Sequence, residues 1–458
     1  MIQDIQTSLQ CKVRFVHIFR YFIFLLTFLV AQNKDIKISS LDSVEIKLHL
    51  DSLLKNQKSY SLEFHLNSYN DKKNSSYYKI IDRGKIADSL IFVSSGELNY
   101  RVVKQILQPF KKLYIGNQYS LAGKHIKSKY YFFNNIPDFQ YRLYNEQDLA
   151  ALIFLEPDFQ SFISGAFGIS RINNQLDIFG ELDLDIENFT KNAEQLKIYW
   201  KKNKNISQKM LFRYFYPHIL GSNMGIQVQN EFDSYNTFFT KSERKILIKS
   251  FSPIFNNFKV GYTKGKIKST NSGTEYGYDD GEYSAISISS YLDNRNNRLL
   301  PVSGKFYNLT IDGGLDKQNM FIETNFEHQL FLNLFGNTYG KIKTVFQGIS
   351  YFKNNVPKSR YLRVGGSSSL RGFDENSFSY PQFHILTLEL INDQNRPMQI
   401  KTFIDFGSNK LLNIKNYLYG YGFGFIQVND ETVLGIDYSF SSYKWQDGKI
   451  HLKWSTRF

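Results

Sequence analysis

The chain holds one cysteine, Cys11, among 458 residues, which excludes an intrachain disulfide and any cysteine-based metal site. Its eight histidines are scattered without a ligand spacing. Proline is scarce at nine residues, and no apolar run after residue 31 is long enough to cross a bilayer as a helix. The nucleophile elbow G-x-S-x-G and the phosphate loop G-x-x-x-x-G-K-[ST] are both missing. No catalytic residue, metal, cofactor or enzymatic activity is therefore expected. The formal charge of +14 is spread along the chain, often in stretches expected to be loops such as KKNKN (201–205). With no basic stripe and no recognisable module, nucleic acid is not an expected partner.

Tyrosine (31) and phenylalanine (41) are plentiful instead, a composition that suits strands better than helices. The mean hydropathy of −0.36 resembles that of a soluble protein. A transmembrane barrel reaches the same value, because its strands alternate apolar and polar residues. At the N-terminus, Arg14, His17 and Arg20 precede the apolar run YFIFLLTFLVA (21–31), and Ala31 before Gln32 supplies the small residue of a cleavage point. Residues 1–31 read as a secretory signal peptide. As a membrane anchor the run is too short to span about 30 Å. Cys11 precedes the run, which argues against a lipoprotein anchor.

Residues 32–157 are mixed, and the clearest module spans about 85–157. SLIFV (89–93) reads as a strand, and LNYRVVKQILQPFKKLY (98–114) places Val102, Ile106, Leu107 and Phe110 at helical spacing. A second short helix is expected over 119–133, then strands at FQYRLY (139–144) and LAALIFLE (149–156). The order is β-α-α-β-β. In the stretch 40–85, EFHLNSY (63–69) is strand-like, and both a second degenerate copy and an N-terminal extension stay open.

After Pro157 the period changes to two. In LDIFGELDLDIEN (176–188), Leu176, Ile178, Leu182, Leu184 and Ile186 share one face and Asp177, Glu181, Asp183, Asp185 and Glu187 the other. SAISISS (284–290), VLGIDYSFS (433–441) and KIHLKWSTRF (449–458) repeat the pattern, with DNRNN, DGG (312–314) and QDGK expected as turns. Residues 158–458 divide into ~16 strands of ~10 residues with shorter turns on one side, the arithmetic of an outer-membrane barrel rather than a sandwich. In the last strand Ile450, Leu452, Trp454 and Phe458 form an apolar outward stripe, while His451, Lys453, Ser455 and Arg457 face inward. The expected fold is mainly β: a 16-stranded antiparallel barrel behind a small α+β region.

SLRGFDENSF (369–378) resembles the signature loop of the Omp85 superfamily, of the bacterial surface antigen D15 type. Three further matches follow the family's order. Asp293, Arg295, Pro301 and Gly304 in YLDNRNNRLLPVSGKFYNL (291–309) resemble its D-x-R…P-x-x-G segment, FIDFG (403–407) its F-x-D-x-G strand, and YGFGF (421–425) with the terminal strand its closing hairpins. The β-α-α-β-β module resembles a POTRA domain, with Gly116, Tyr119 and Ser120 at its Gly-x-x-Tyr-Ser turn. The terminal strand, with Trp454 and Phe458, resembles the signal by which such barrels are recognised for insertion.

The resemblance implies that the sixth extracellular loop folds into the lumen, with Arg371 at its tip, Gly372 permitting the tight turn and Phe373 packing beside it. Asp405 is the implied anchoring acid and Asp437 the second candidate. It further implies a weakly paired seam near FISGAFGIS (162–170), where Gly165 and Gly168 weaken packing. Client strands would pair at that seam, and the POTRA module would offer its own edge. The implied setting is the bacterial outer membrane, with the N-terminal region in the periplasm. Implied partners are outer-membrane lipid, unfolded or secreted client polypeptides and periplasmic or lipoprotein accessory proteins. Room for only one or two POTRA domains leaves open an accessory insertase or translocase, a dedicated two-partner secretion pore and a passive channel or porin.

Overall fold

The computed structural model describes residues 36–458 apart from 57–61, 83–85, 95, 145–147, 173–174, 204–206, 252–256, 298–299, 368, 394–397, 411–416, 430 and 442–446. The expected signal peptide and Cys11 lie outside the described residues. The chain divides into two compact units, one up to Asp88 with Lys112–Ser120, the other Ser89–Lys111 with Leu121–Phe458.

In the first unit, β1 (Ile36–Ile38), α1 (Ser43–Asn56), β2 (Leu62–Asn70) and β3 (Ser75–Asp82) build a three-stranded sheet ordered β1-β3-β2. Asp42 starts α1 by accepting the Val44 N–H at 2.9 Å, satisfying one of the helix's free donors. Both strand pairings are antiparallel.

The second unit opens with β4 (Ser89–Ser94), α2 (Tyr100–Ile106), α3 (Asn117–Lys129, whose first turn belongs to the first unit), β5 (Asp138–Tyr144) and β6 (Asp148–Leu155). This is the expected β-α-α-β-β order, with β4 parallel and β5 antiparallel to the central β6. The helix expected through 114 stops at Ile106, followed by a 3-10 turn carrying Pro109, whose ring clashes with a continuing helix. Val102, Ile106, Leu107 and Phe110 are all buried, as their spacing requires. The first unit differs from this module in that its first strand pairs antiparallel, and its described residues up to Asp88 hold one α-helix.

The barrel closes from sixteen strands. The first eight are β7 (Phe162–Ile172), β8 (Gln175–Glu187), β9 (Gln195–Lys202), β10 (Gln208–Tyr216), β11 (Met224–Tyr235), β12 (Phe239–Ser250), β13 (Phe258–Ser269) and β14 (Gly281–Asp293). Next come β15 (Gly304–Asp316), β16 (Asn319–Phe335) and β17 (Thr338–Tyr351), then the loop strands β18 (Leu362–Val364) and β19 (Phe378–Tyr380). The wall finishes with β20 (Gln382–Asp393), β21 (Met398–Ser408), β22 (Leu418–Asn429), β23 (Thr432–Phe440) and β24 (Lys449–Arg457). Alternation sorts the faces: Ile246, Ile248, Ile286 and Ile288 are exposed outward, while Lys245, Leu247 and Ser287 are buried inward.

Two expectations about turns fail. DGG (312–314) lies inside β15, where the Asp312 carboxylate accepts from Lys245 at 2.9 Å and from Ser287 across the wall. A Cβ on Gly314 would collide with the Ser284 carbonyl, so that glycine serves close strand approach. The actual turn is at Lys317, with φ 54°. Likewise Lys201 and Lys202 of KKNKN end β9, and Lys201 reaches Glu375 at 3.0 Å.

The β-α-α-β-β module contacts the barrel end that carries the turns before β9, β11 and β13, here called the near end. Asn99 N–H donates to Lys191 O at 2.8 Å and Gln105 to Gly221 O at 2.5 Å. The Tyr130 hydroxyl donates to His218 Nε2 at 2.7 Å, and its ring stacks on Phe251. Burial lowers the His218 pKa to about 4, so the ring is neutral and suited to accept that bond.

The seam between first and last strands is short. β23 and β24 pair from Thr432–Thr456 to Ser439–Lys449 without a break. β24 and β7 pair only from Trp454–Gly165 to Arg457–Phe162, leaving residues 166–172 and 449–453 without seam partners.

Candidate functional site

Segment 352–381, between β17 and β20, is the longest connection at the far end, and it carries the hairpin β18–β19. Counting strands from β7 makes it the sixth far-end loop. Gly365, Gly366 and Gly372 have φ of 119°, 94° and 89°, a region that side chains with a Cβ rarely enter. Ser369 Oγ accepts the Gly365 N–H at 2.8 Å, so serine and glycine together shape the turn.

Arg371 is 7% exposed and Asp405 fully buried. The guanidinium donates from Nε to Asp405 Oδ2 at 2.7 Å and from Nη2 to Oδ1 at 2.8 Å, a bidentate fork. The backbone N–H of Arg371 adds a third bond to Asp405 at 3.2 Å. Phe403, two residues before Asp405 and on its face, lies with its ring 3.5 Å from the guanidinium carbon. Asp437 is 3.5 Å from Nη1 and is bound mainly by Lys401 at 2.9 Å. Phe373 packs edge-on against Phe378.

Sequence reasoning missed Glu389, 2.9 Å from Arg371 Nη1, and Thr387, whose hydroxyl donates to Asp405 at 2.7 Å. Both face inward from β20, opposite Phe403 and Asp405 in register. The alternation of Thr387 and Glu389 with Leu386, Leu388 and Leu390 was the available signal. With Lys341 on Glu389 at 3.0 Å, the cluster balances three cations against three carboxylates.

Two more arginines pin the loop, and neither was expected. Arg360, with its side chain 1% exposed, pairs with Glu323 at 2.7 Å and lies over the rings of Tyr283 and Phe321 at 3.7 and 4.6 Å. Arg363 pairs with Asp233 and lies over Tyr235. The loop thus crosses the lumen from the β11–β16 wall to the β20–β23 wall. Beyond the tip, Asp374 accepts from Lys449 at 2.5 Å and Glu375 from Lys201 at 3.0 Å.

The receiving wall is cut to fit backbone. A Cβ on Gly420 would collide with the Arg371 carbonyl, and one on Gly372 with the Phe440 carbonyl. Gly420→Ala should therefore push the tip out of its seat. Trypsin added to the intact protein should then cleave after Arg371 in the variant and spare the native chain; equal resistance would refute the fit.

At the near end, Arg295 forks onto Asp293 at 2.8 and 2.6 Å, closing the turn into β15, and Gly304 has φ 102° where a Cβ would strike Asn294. Trp454 and Phe458 are exposed, and Trp454 is the first residue of β24 paired across the seam. Among the described residues no cluster of metal-ligand type occurs.

The family model described as the Omp85 superfamily domain matches residues 188–424. No curated protein sequence matches the chain. Among solved structures, BamA from Haemophilus ducreyi lacking POTRA domains 1–3 is similar at 12% identity and a TM-score of 0.51, over 91% of this chain and 94% of that one. CdiB from Acinetobacter baumannii is similar at 13% identity and 0.56, over 90% and 81%. CdiB from Escherichia coli is similar at 9% identity and 0.55, over 91% and 85%. The match covers more than half of the chain, and it spans the closed sixteen-stranded barrel from its first near-end turn to β22: this protein is an outer-membrane β-barrel of the Omp85 superfamily.

Proposed function

We propose that this protein assists the insertion or translocation of client polypeptides at the bacterial outer membrane, with its near end and α+β region in the periplasm. The observation that carries this reading is the four-pair seam. Strand residues left unpaired there present backbone donors and acceptors that an incoming strand can satisfy. Because such pairing uses the backbone, it accepts varied sequences. The module, read as a POTRA domain, would receive the chain first. Its β4 is an edge strand with Ile91 and Val93 exposed, suited to an added strand. The loop crossing the lumen argues against a permanently open channel, because three arginine anchors, two of them buried, would have to break to clear it.

Depletion of the protein followed by a survey of the outer-membrane proteome tests the reading. Loss of many barrel proteins is expected for a general insertase, and loss of one secreted protein for a dedicated pore. An unchanged proteome, with a large steady conductance of the purified protein in planar bilayers, would replace this reading with a passive channel.

A further inference from the structure

Several cations on the lumenal wall face carboxylates: Lys197 with Asp183, Lys209 with Glu231 and Lys245 with Asp312, each at 2.9 Å. The near end of the lumen departs from that pattern. Lys249 on β12 and Lys259 on β13 are direct register partners on the inward face. Like charges placed opposite each other on neighbouring strands are destabilising. Yet among the described residues neither lysine forms an ion pair with a carboxylate. Lys249 Nζ donates to the Lys129 carbonyl at 2.6 Å and Lys259 Nζ to Gln227 Oε1 at 2.7 Å, both neutral acceptors. Both ammonium groups lie over one ring, Phe215, at 5.9 and 5.3 Å.

These residues line a cavity of about 720 Å³ inside the barrel. Asn257, two residues before Lys259, lines it too, and its buried side-chain oxygen has no hydrogen-bond partner. Turning that amide over would aim two N–H donors into the cavity.

We propose that Lys249 and Lys259 form an anion site that takes a phosphate group. A phosphate dianion balances both ammonium charges and has oxygens enough to accept from both lysines and the Asn257 amide, whereas one carboxylate neutralises only one lysine. The phosphate is either free or borne by a small headgroup-like ester. The site is independent of the seam and of the client's identity.

The test uses the full chain in detergent at low ionic strength, with inorganic phosphate and glycerol 3-phosphate as separate probes and chloride as reference. Line broadening of the phosphorus resonance reads binding, and the thermal midpoint reads stability. Phosphate should raise the native midpoint. Lys259→Gln should weaken binding about tenfold or more, the loss of one charge-assisted hydrogen bond. The Lys249→Gln/Lys259→Gln pair should abolish binding and, without phosphate, melt no lower than the native chain because the repulsion is gone. Lys264→Gln, on an exposed ion pair with Glu282, should change nothing. Tighter binding of the ester than of phosphate assigns the site to a headgroup-like ligand, and the reverse assigns it to the free anion. No native binding beyond chloride, or equal binding by Lys259→Gln, overturns the proposal. If the double variant does not fold, the Lys259→Gln result alone decides.

Discussion

Arg371→Ala should remove most client-assembly activity while the barrel still reaches the membrane at near-normal amount. Among the described residues, the substitution leaves Asp405, fully buried, with the Thr387 hydroxyl and the loop's backbone N–H. Breaking a buried pair from one side costs about 3–5 kcal/mol, because the remaining charge is uncompensated. The wall strands β20, β21 and β22 are held by their own backbone ladders, so this cost falls on docking of the loop tip rather than on the sheet. A shift of that size changes the ratio of seated to released loop by about two to nearly four orders of magnitude. Arg371→Lys should be intermediate, since a point charge keeps the attraction and loses the fork. Asp405→Asn should be milder than Arg371→Ala, because Glu389 and Asp437 still compensate the arginine. The measurements are client assembly in cells, barrel abundance by heat-modifiable gel mobility, and trypsin cleavage of the loop. Equal losses of abundance and activity would reduce Arg371 to a folding role.

Locking the seam should have a comparably large effect. Ser164 and Ser455 are register partners across β7 and β24, so cysteines at both positions start at the separation a disulfide requires. The oxidised Ser164→Cys/Ser455→Cys protein should lose client assembly, and dithiothreitol should restore it. Each single-cysteine variant should behave as native under both conditions. Full activity of the locked barrel would show that clients do not use this edge, whatever the depletion experiment finds.

The parts legible in the sequence are those that local periodicity determines. Strand alternation along 158–458 exposes the barrel because the two faces of its strands differ in polarity, and the parity of FIDFG puts Phe403, Asp405 and Gly407 on one face, which the family resemblance makes the lumenal one. What local pattern cannot reveal is which distant wall a side chain meets. Arg360 and Arg363 look like ordinary loop cations until the fold places Glu323 and Asp233 beside them, 37 and 130 residues away. DGG reads as a turn because glycine beside aspartate is common there, and only the neighbouring strand explains why small residues are needed at that site. The shortness of α2 is the opposite case: Pro109 is visible in the sequence, and its ring outweighs the apolar spacing.

The tip of the lumenal loop also bears on the order in which the chain acquires its structure. Its partners are close in sequence: Asp405 lies 34 residues from Arg371, and Thr387 lies 18 from Asp405. The seam joins residues at opposite extremes, as in the contact of Arg457 with Asp158, 299 residues apart. Closing a short loop costs less chain entropy than closing a long one, so contacts of low sequence separation form earlier. The C-terminal strands can therefore wrap around the tip as around a mandrel before the first strand arrives. On this ordering the loop tip is seated before the barrel closes, and the last contact made is the first available to be exchanged.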